Sequence, residues 1–295
     1  MLLITTEHKT QSSFILFDEE KCKIKKVVPY EKDLDSHLEN QNRPTFRPFG
    51  IAYDGDFIYV ASNDRICSFD KKTFEYKKLI TSSGRINTHH ILYHNNFIYR
   101  CDTAVNCITR IDLKTLEEIH YDCLFREKIS PLTKTIDAKQ IDVLHINSIS
   151  IYKDKLYVVA HCLGRRSSPS YSFTLDLDLN NYENHIDNLG FSVHDIIVLN
   201  NESYVLDTSS GNLVKFDSKK NKKKYNIVNS NKWFLRGMTK KNKYLYIFAG
   251  PNHKTTKNLT KSKLIIFNLE TKTFDKKYID NINIIHQVKN YGENE

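Results

Sequence analysis

Leu213-Val214-Lys215-Phe216-Asp217 is one copy of a pattern that occurs six times along this chain. The others are Phe14-Ile15-Leu16-Phe17-Asp18, Ile66-Cys67-Ser68-Phe69-Asp70, Ile108-Thr109-Arg110-Ile111-Asp112, Ser172-Phe173-Thr174-Leu175-Asp176 and Ile265-Ile266-Phe267-Asn268. Apolar residues at every second position mark half-buried strands. The closing Asp or Asn is turn chemistry, because its short side chain can cap the backbone amides that follow. Several copies continue as Lys-x-Thr-Phe or Lys-x-Thr-Leu patterns, as in Lys72-Thr73-Phe74, Lys114-Thr115-Leu116 and Lys272-Thr273-Phe274.

Upstream of each copy lies another hairpin. Gly50 to Val60 folds back at Asp54-Gly55, and His90 to Tyr99 folds back at Asn95-Asn96. Both turns are strong hairpin signals. Ile149 to Val158, Ile196 to Leu206 and Met238 to Phe248 read the same way. Two hairpins per repeat of roughly 40–50 residues make a four-stranded propeller blade. The sixth blade is split between the chain ends: Leu2 to Thr5 supplies one strand and Ile282 to Val288 another. Pairing them removes an open sheet edge. The expectation is an all-β, six-bladed β-propeller of four-stranded antiparallel blades, forming one domain over residues 1–295. The blades fall at about 46–78, 87–122, 145–182, 192–228 and 234–279, with 282–290 plus 2–27 completing the ring.

The 295 residues suffice for one such domain with a sizeable core. No apolar run approaches a membrane span, and the N-terminus has no signal-peptide pattern, so a cytoplasmic protein is expected. Six scattered cysteines form no CxxC pair and read as free thiols. The net charge of +9 comes largely from turn lysines such as Lys219, Lys220 and Lys222 to Lys224. No aromatic residues are interleaved there for base stacking, which argues against a nucleic-acid partner. No phosphate loop, GxSxG elbow or HExxH motif is present. A protein partner stays open.

Pro48-Phe49-Gly50-Ile51, Phe57-Ile58-Tyr59-Val60-Ala61 and Asp207-Thr208-Ser209-Ser210-Gly211-Asn212 carry a resemblance over nearly the whole chain. It is to the broad group of six-bladed propellers that includes NHL-repeat proteins, the gluconolactonase and strictosidine-synthase group, and peptidylamidoglycolate lyases. The resemblance implies architecture far more than function. Peptidylamidoglycolate lyases hold zinc with three channel histidines beside an arginine and a tyrosine. The gluconolactonase group uses carboxylates and asparagines, a pattern missing here.

The first strand of each blade lines the channel. Aligned on their hairpin partners, these strands place Phe49, His89, Asn147, His194, Arg236 and His286 in one ring. One pleat further out come Arg47, Asn87, His145, Ser192 and Phe234. A register one residue later presents His90, Asp195, Gly237 and Gln287 instead. Three imidazoles from alternate blades, His89, His194 and His286, suit a divalent metal (zinc, manganese or iron) with an open coordination position. His145 is a fourth candidate ligand, and four histidines suit iron and oxygen chemistry. Arg236 is the candidate clamp for an anionic group, and Asn147 the candidate for orienting a ligand or water. Arg47, Asn87, Phe49 and Trp233 are candidate substrate contacts. The function expected is a metal-dependent lyase or hydrolase acting on a small anionic molecule. The alternative is a non-catalytic propeller that binds a protein or glycan. Long connections at Val28–Phe46 and Leu124–Leu144 open onto the same mouth, with Tyr30, Phe46, Phe125 and Ile129 as lid contacts.

Overall fold

The Asp/Asn positions of the repeat act as the sequence suggests. Asp70 Oδ1 accepts the backbone N–H groups of Lys72 and Thr73, both at 2.9 Å. Asp112 caps Lys114 and Thr115, Asn268 caps Glu270 and Thr271, and Asp18 caps Lys21. Asp176 and Asp217 cap Asn180 and Asn221 four residues on. Each carboxylate or amide satisfies amides that a tight turn would leave open, and this fixes where each outer hairpin folds back.

In the computed structural model these hairpins assemble into six antiparallel sheets. The structure describes residues 1–7, 12–29, 48–82, 87–129, 142–161, 168–252, 261–280, 282 and 284–292. The innermost strands of blades one to six are Gly50–Tyr53, Thr88–His94, Ile146–Tyr152, Val193–Leu199, Trp233–Lys241 and Ile284–Asn290. Within blades one to five the strands run outward in chain order. Blade two adds a short fifth strand, Glu127–Ile129, so Ile129 pairs with His120. Phe125, in the preceding turn, is 71% exposed. The other lid residues named from sequence, Tyr30 and Phe46, lie outside the described residues.

Blade six is the composite one. Ile284–Asn290 pairs with Leu2–Glu7, which continues to Ser12–Asp18 and Lys23–Pro29. The Tyr291 amide also donates to the Met1 carbonyl at 2.8 Å. The last strand of the ring is thereby bonded to the first.

Six apolar clusters hold the ring, one at each blade junction. Leu92, Ile108, Ile149 and Phe173 fill the junction of blades two and three. Leu3, Phe14, Ile51 and Phe69 fill that of blades six and one, and Phe17 and Phe248 that of blades five and six. The remaining junctions are packed in the same way. A sheet whose two faces each meet a neighbour must be apolar on both faces, hence the dense Ile, Val, Leu and Phe content of the strands. Cys67 and Cys101 are buried among them as small apolar side chains.

Blade two also buries an ionic group. Arg100, fully inaccessible, lies 2.6 Å from Asp102 Oδ1 and 3.2 Å from Glu118 Oε2. Thr109 Oγ1 donates to Asp102 at 2.5 Å. Among the described residues no helix is long and apolar enough to cross a membrane.

Candidate functional site

The channel-facing strands are not regular. In blade two, Thr88 pairs with Asp102 and His90 with Cys101, so His89 is an extra residue with no partner position. Asn147 is the extra residue in blade three and His286 in blade six. Blade four slips between His194 and Ile196, leaving Asp195 extra at φ 50°. Blade five sets Arg236 and Gly237 against Phe248 alone. Five of the six innermost strands therefore carry a β-bulge at the same height, and only blade one runs straight. A bulge breaks the two-residue alternation, so consecutive side chains can both leave toward the axis. The two registers weighed from sequence describe two levels of one channel.

At the upper level, seven rings follow one another in an arc. Phe234 meets His194 edge-on at 5.3 Å between centroids, and His194 meets His161 at 5.2 Å. His161 stacks on His145 at 4.2 Å, with planes 21° apart. His145 meets His89 at 4.9 Å, His89 stacks on Phe49 at 5.5 Å, and Phe49 meets His286 at 4.4 Å. The Arg236 guanidinium lies 6.0 Å over the Phe49 ring. Ring residues Phe49, His89, His194, Arg236 and His286, and His145 and Phe234 from the next pleat, thus come together.

Other expected members take different positions. The Asn147 amide is tied to its neighbours, donating to Val193 O at 2.9 Å and to His161 Nδ1 at 2.8 Å. Asn87 sits at φ 53° in the connection between blades one and two, its N–H bonded to Asn63 O. Trp233 belongs to the core between blades four and five, with Lys263 Nζ 4.4 Å over its ring and Tyr278 beside it. Arg47 lies outside the described residues. At the lower level, Gln287 reaches past blade one to blade two. It accepts from Ile51 N at 2.8 Å and donates to Ile91 O at 3.0 Å. His90 and Asp195 are buried at that level too.

His161 is the member that the reading of the innermost strands missed. It follows the second strand of its blade, Lys155–Ala160. The equivalent residues are Thr103, which donates to Ile146 O at 2.5 Å, and Thr208, which donates to Leu235 O at 2.8 Å. Each latches its blade to the next. Aligning Asp102-Thr103 and Asp207-Thr208 with Ala160-His161 would have exposed the substitution.

Hydrogen bonds fix opposite tautomers on two neighbouring histidines. The single proton of the Thr208 hydroxyl goes to Leu235 O, so Thr208 Oγ1 accepts from His194 Nδ1 at 2.8 Å. His194 then carries its proton on Nδ1 and a lone pair on Nε2. The Asn147 amide faces a carbonyl, so the group directed at Val193 O and His161 Nδ1 is its NH2. His161 Nδ1 lies 2.8 Å from the Asn147 NH2 and 3.2 Å from Val193 O, and two donors cannot share the shorter contact, so Nδ1 accepts and its proton sits on Nε2. His145 Nδ1 lies 2.6 Å from Asp142 Oδ2.

Burial keeps His89, His161 and His194 neutral, reinforced by Arg236 and by neighbouring imidazoles. His89 and His194 are held well below the usual histidine range, and His161 is lowered to about 3. Neutral imidazoles are what a metal needs. Along the arc, His145 and His161 stand between His89 and His194. Among the described residues, no three His, Cys, Asp or Glu side chains are grouped to hold a metal.

No family model matches this chain, and no curated protein matches it. Solved structures do. A chain of a nidogen/laminin complex is 12% identical, with a TM-score of 0.67, covering 98% of this chain and 97% of that one. A streptogramin B lyase is 12% identical at TM-score 0.56, covering 81% and 71%. A chain of hydrazine synthase from Kuenenia stuttgartiensis is 14% identical at 0.55, covering 86% and 70%. What they share with this chain is the propeller. At such identities the likeness carries the fold and leaves the site to be argued from its own residues.

Proposed function

We infer that this chain is an enzyme that moves protons on a small anionic substrate at the histidine mouth of the channel. The observation that carries the reading is the pair of opposite tautomers on His161 and His194, 5.2 Å apart. His194 Nε2 is a neutral base and His161 Nε2–H is a neutral donor. Together they provide base and acid on one substrate without a proton having to cross the solvent. Arg236 is the permanent cation beside them and binds the anionic group of the substrate. In a lyase reaction His194 takes the proton next to the anionic group, the His161 Nε2–H hydrogen-bonds the departing atom, and the proton held by His194 finishes on the leaving group. In a hydrolysis His194 deprotonates the attacking water and His161 serves the leaving group. The resemblance to a streptogramin B lyase at fold level agrees with the first course and does not decide between them.

The test is a panel of small esters and β-substituted acids, each bearing a carboxylate or phosphate, assayed by product formation. Turnover is expected for at least one member, falling by roughly 10²–10⁴-fold in His194→Gln. The reading fails if no member is turned over and none perturbs the histidine NMR resonances. It fails equally if His194→Gln retains full rate. The second reading is a propeller that binds a protein partner, in keeping with the nidogen/laminin likeness. It predicts a histidine mouth indifferent to small anions.

A further inference from the structure

The lower level of the channel opens at the opposite end of the molecule. The innermost strands run from the histidine arc to their hairpin turns, and His89 to His94 spans roughly 16 Å at strand rise. Around those turns lies a cavity of about 720 Å³. Its floor is set by His90 and Asp195, the residues that the bulges in blades two and four turn toward the axis. Both are more than nine-tenths buried. Among the described residues His90 Nδ1 has no hydrogen-bond partner, whereas Asp195 Oδ2 accepts from Gly237 N at 2.8 Å. Leu92 and Met238 supply apolar wall.

The charge on the lining is mixed but not balanced. Lys71, Lys153, Lys240 and Lys289 face Asp54, Asp154 and Asp195. Asp54 is committed to its turn, accepting from Asp56 N, Phe57 N and the Tyr59 hydroxyl. Lys71 donates to the Asp54 carbonyl. Lys289 stands close enough to lower the basicity of His90, after the larger effect of burial. Yet no carboxylate lies within ion-pair distance of its ammonium among the described residues.

We propose that this cavity is a second ligand site, taking a small organic anion with an apolar body. Its charged group rests against Lys289 and Lys240, its body against Leu92 and Met238, and a donor on it satisfies His90 Nδ1. The volume falls in the usual range for small-molecule pockets. A buried imidazole nitrogen with no donor is costly to leave open, and a ligand hydroxyl or amide can fill it. The site is separate from the His161–His194 pair and does not depend on their chemistry.

The probe is 1-anilinonaphthalene-8-sulfonate, an aromatic anion whose fluorescence reports transfer from water. Saturable binding at one site is expected, weakened roughly tenfold or more in Lys289→Gln, since a bond to a charged group contributes about 1.5–3 kcal/mol. Lys240→Gln, at the exposed end of the strand Trp233–Lys241, is expected to weaken it in the same direction. His194→Gln, at the other mouth, is expected to leave the affinity unchanged. The proposal is overturned if the probe does not saturate, if both lysine variants bind as the parent does, or if His194→Gln abolishes the signal.

Discussion

The smallest decisive feature is one hydroxyl proton. Thr208 gives it to Leu235 O and so dictates the tautomer of His194. Thr208→Val keeps the side-chain shape and removes that instruction. The expected result is a loss of about 1–3 kcal/mol in urea unfolding, from the Leu235 carbonyl left without its donor. Nitrogen chemical shifts should also show His194 mixing its two tautomers. Gly237 makes a second residue-level claim. It lies at φ 89°, and an added Cβ would stand 2.8 Å from methyls of both Ile285 and Val288. Gly237→Ala is expected to destabilise by more than about 1 kcal/mol, read from the urea midpoint. Neither role was legible in the sequence. A threonine after a strand and a glycine after an arginine look ordinary until the neighbouring blade is present.

Among the elements, the bulged strands decide the site. The sequence placed His89, His194, His286 and Arg236 at one level because the hairpin alignment was sound. It posed His90, Asp195 and Gln287 as an alternative because regular strands admit only one face. The bulges admit both, and their positions depend on pairings across the sheet that a strand's own residues do not encode. Blade two supplies the test at this scale. Arg100 is buried between Asp102 and Glu118. Arg100→Leu leaves those carboxylates without their cation and is expected to cost about 3–5 kcal/mol. Substituting Asp102 at the same time should recover part of that loss, because the uncompensated charge is then gone. Equal losses in the single and double variants, measured by denaturant unfolding, would contradict the assignment.

For the whole molecule, closure and titration are the collective properties. Removing residues 1–7 takes away the strand to which Ile284–Asn290 is paired and exposes Leu2-contacting surfaces of Phe17 and Val288. The expected outcome is loss of the cooperative thermal transition, not a local fray. The pH dependence follows from the buried imidazoles. His89, His90, His161 and His194 have folded pKa values below the unfolded value near 6.5. The unfolded chain therefore binds protons first as pH falls. Stability is complete above 6.5 and declines below it, toward about 3 for His161. Each such group contributes up to about 1.4 kcal/mol per pH unit in its window. Asp195 acts in the opposite sense: burial raises it to about 6, so the folded form takes up a proton first and gains stability as pH drops from about 6 toward its unfolded value. Four histidines outweigh one carboxyl, and the unfolding midpoint should fall steadily from pH 6.5 to pH 4.5. A flat profile there would mean that the imidazoles are solvated.

The sequence by itself determined the propeller. Turn chemistry and two-residue alternation are local, they recur six times, and the unmatched strands at the two ends leave no other way to close the sheet. It also determined that histidines gather at one mouth, since the innermost strands share a register. What only the tertiary structure decided is how those histidines face one another. His161 enters the arc from a different strand. His145 and His161 stack face to face. The proton on His194 is set by a hydroxyl and that on His161 by an amide, each oriented in turn by a carbonyl of the next blade. Those are contacts between segments far apart in the chain, and a pattern with a period of two carries no information about them.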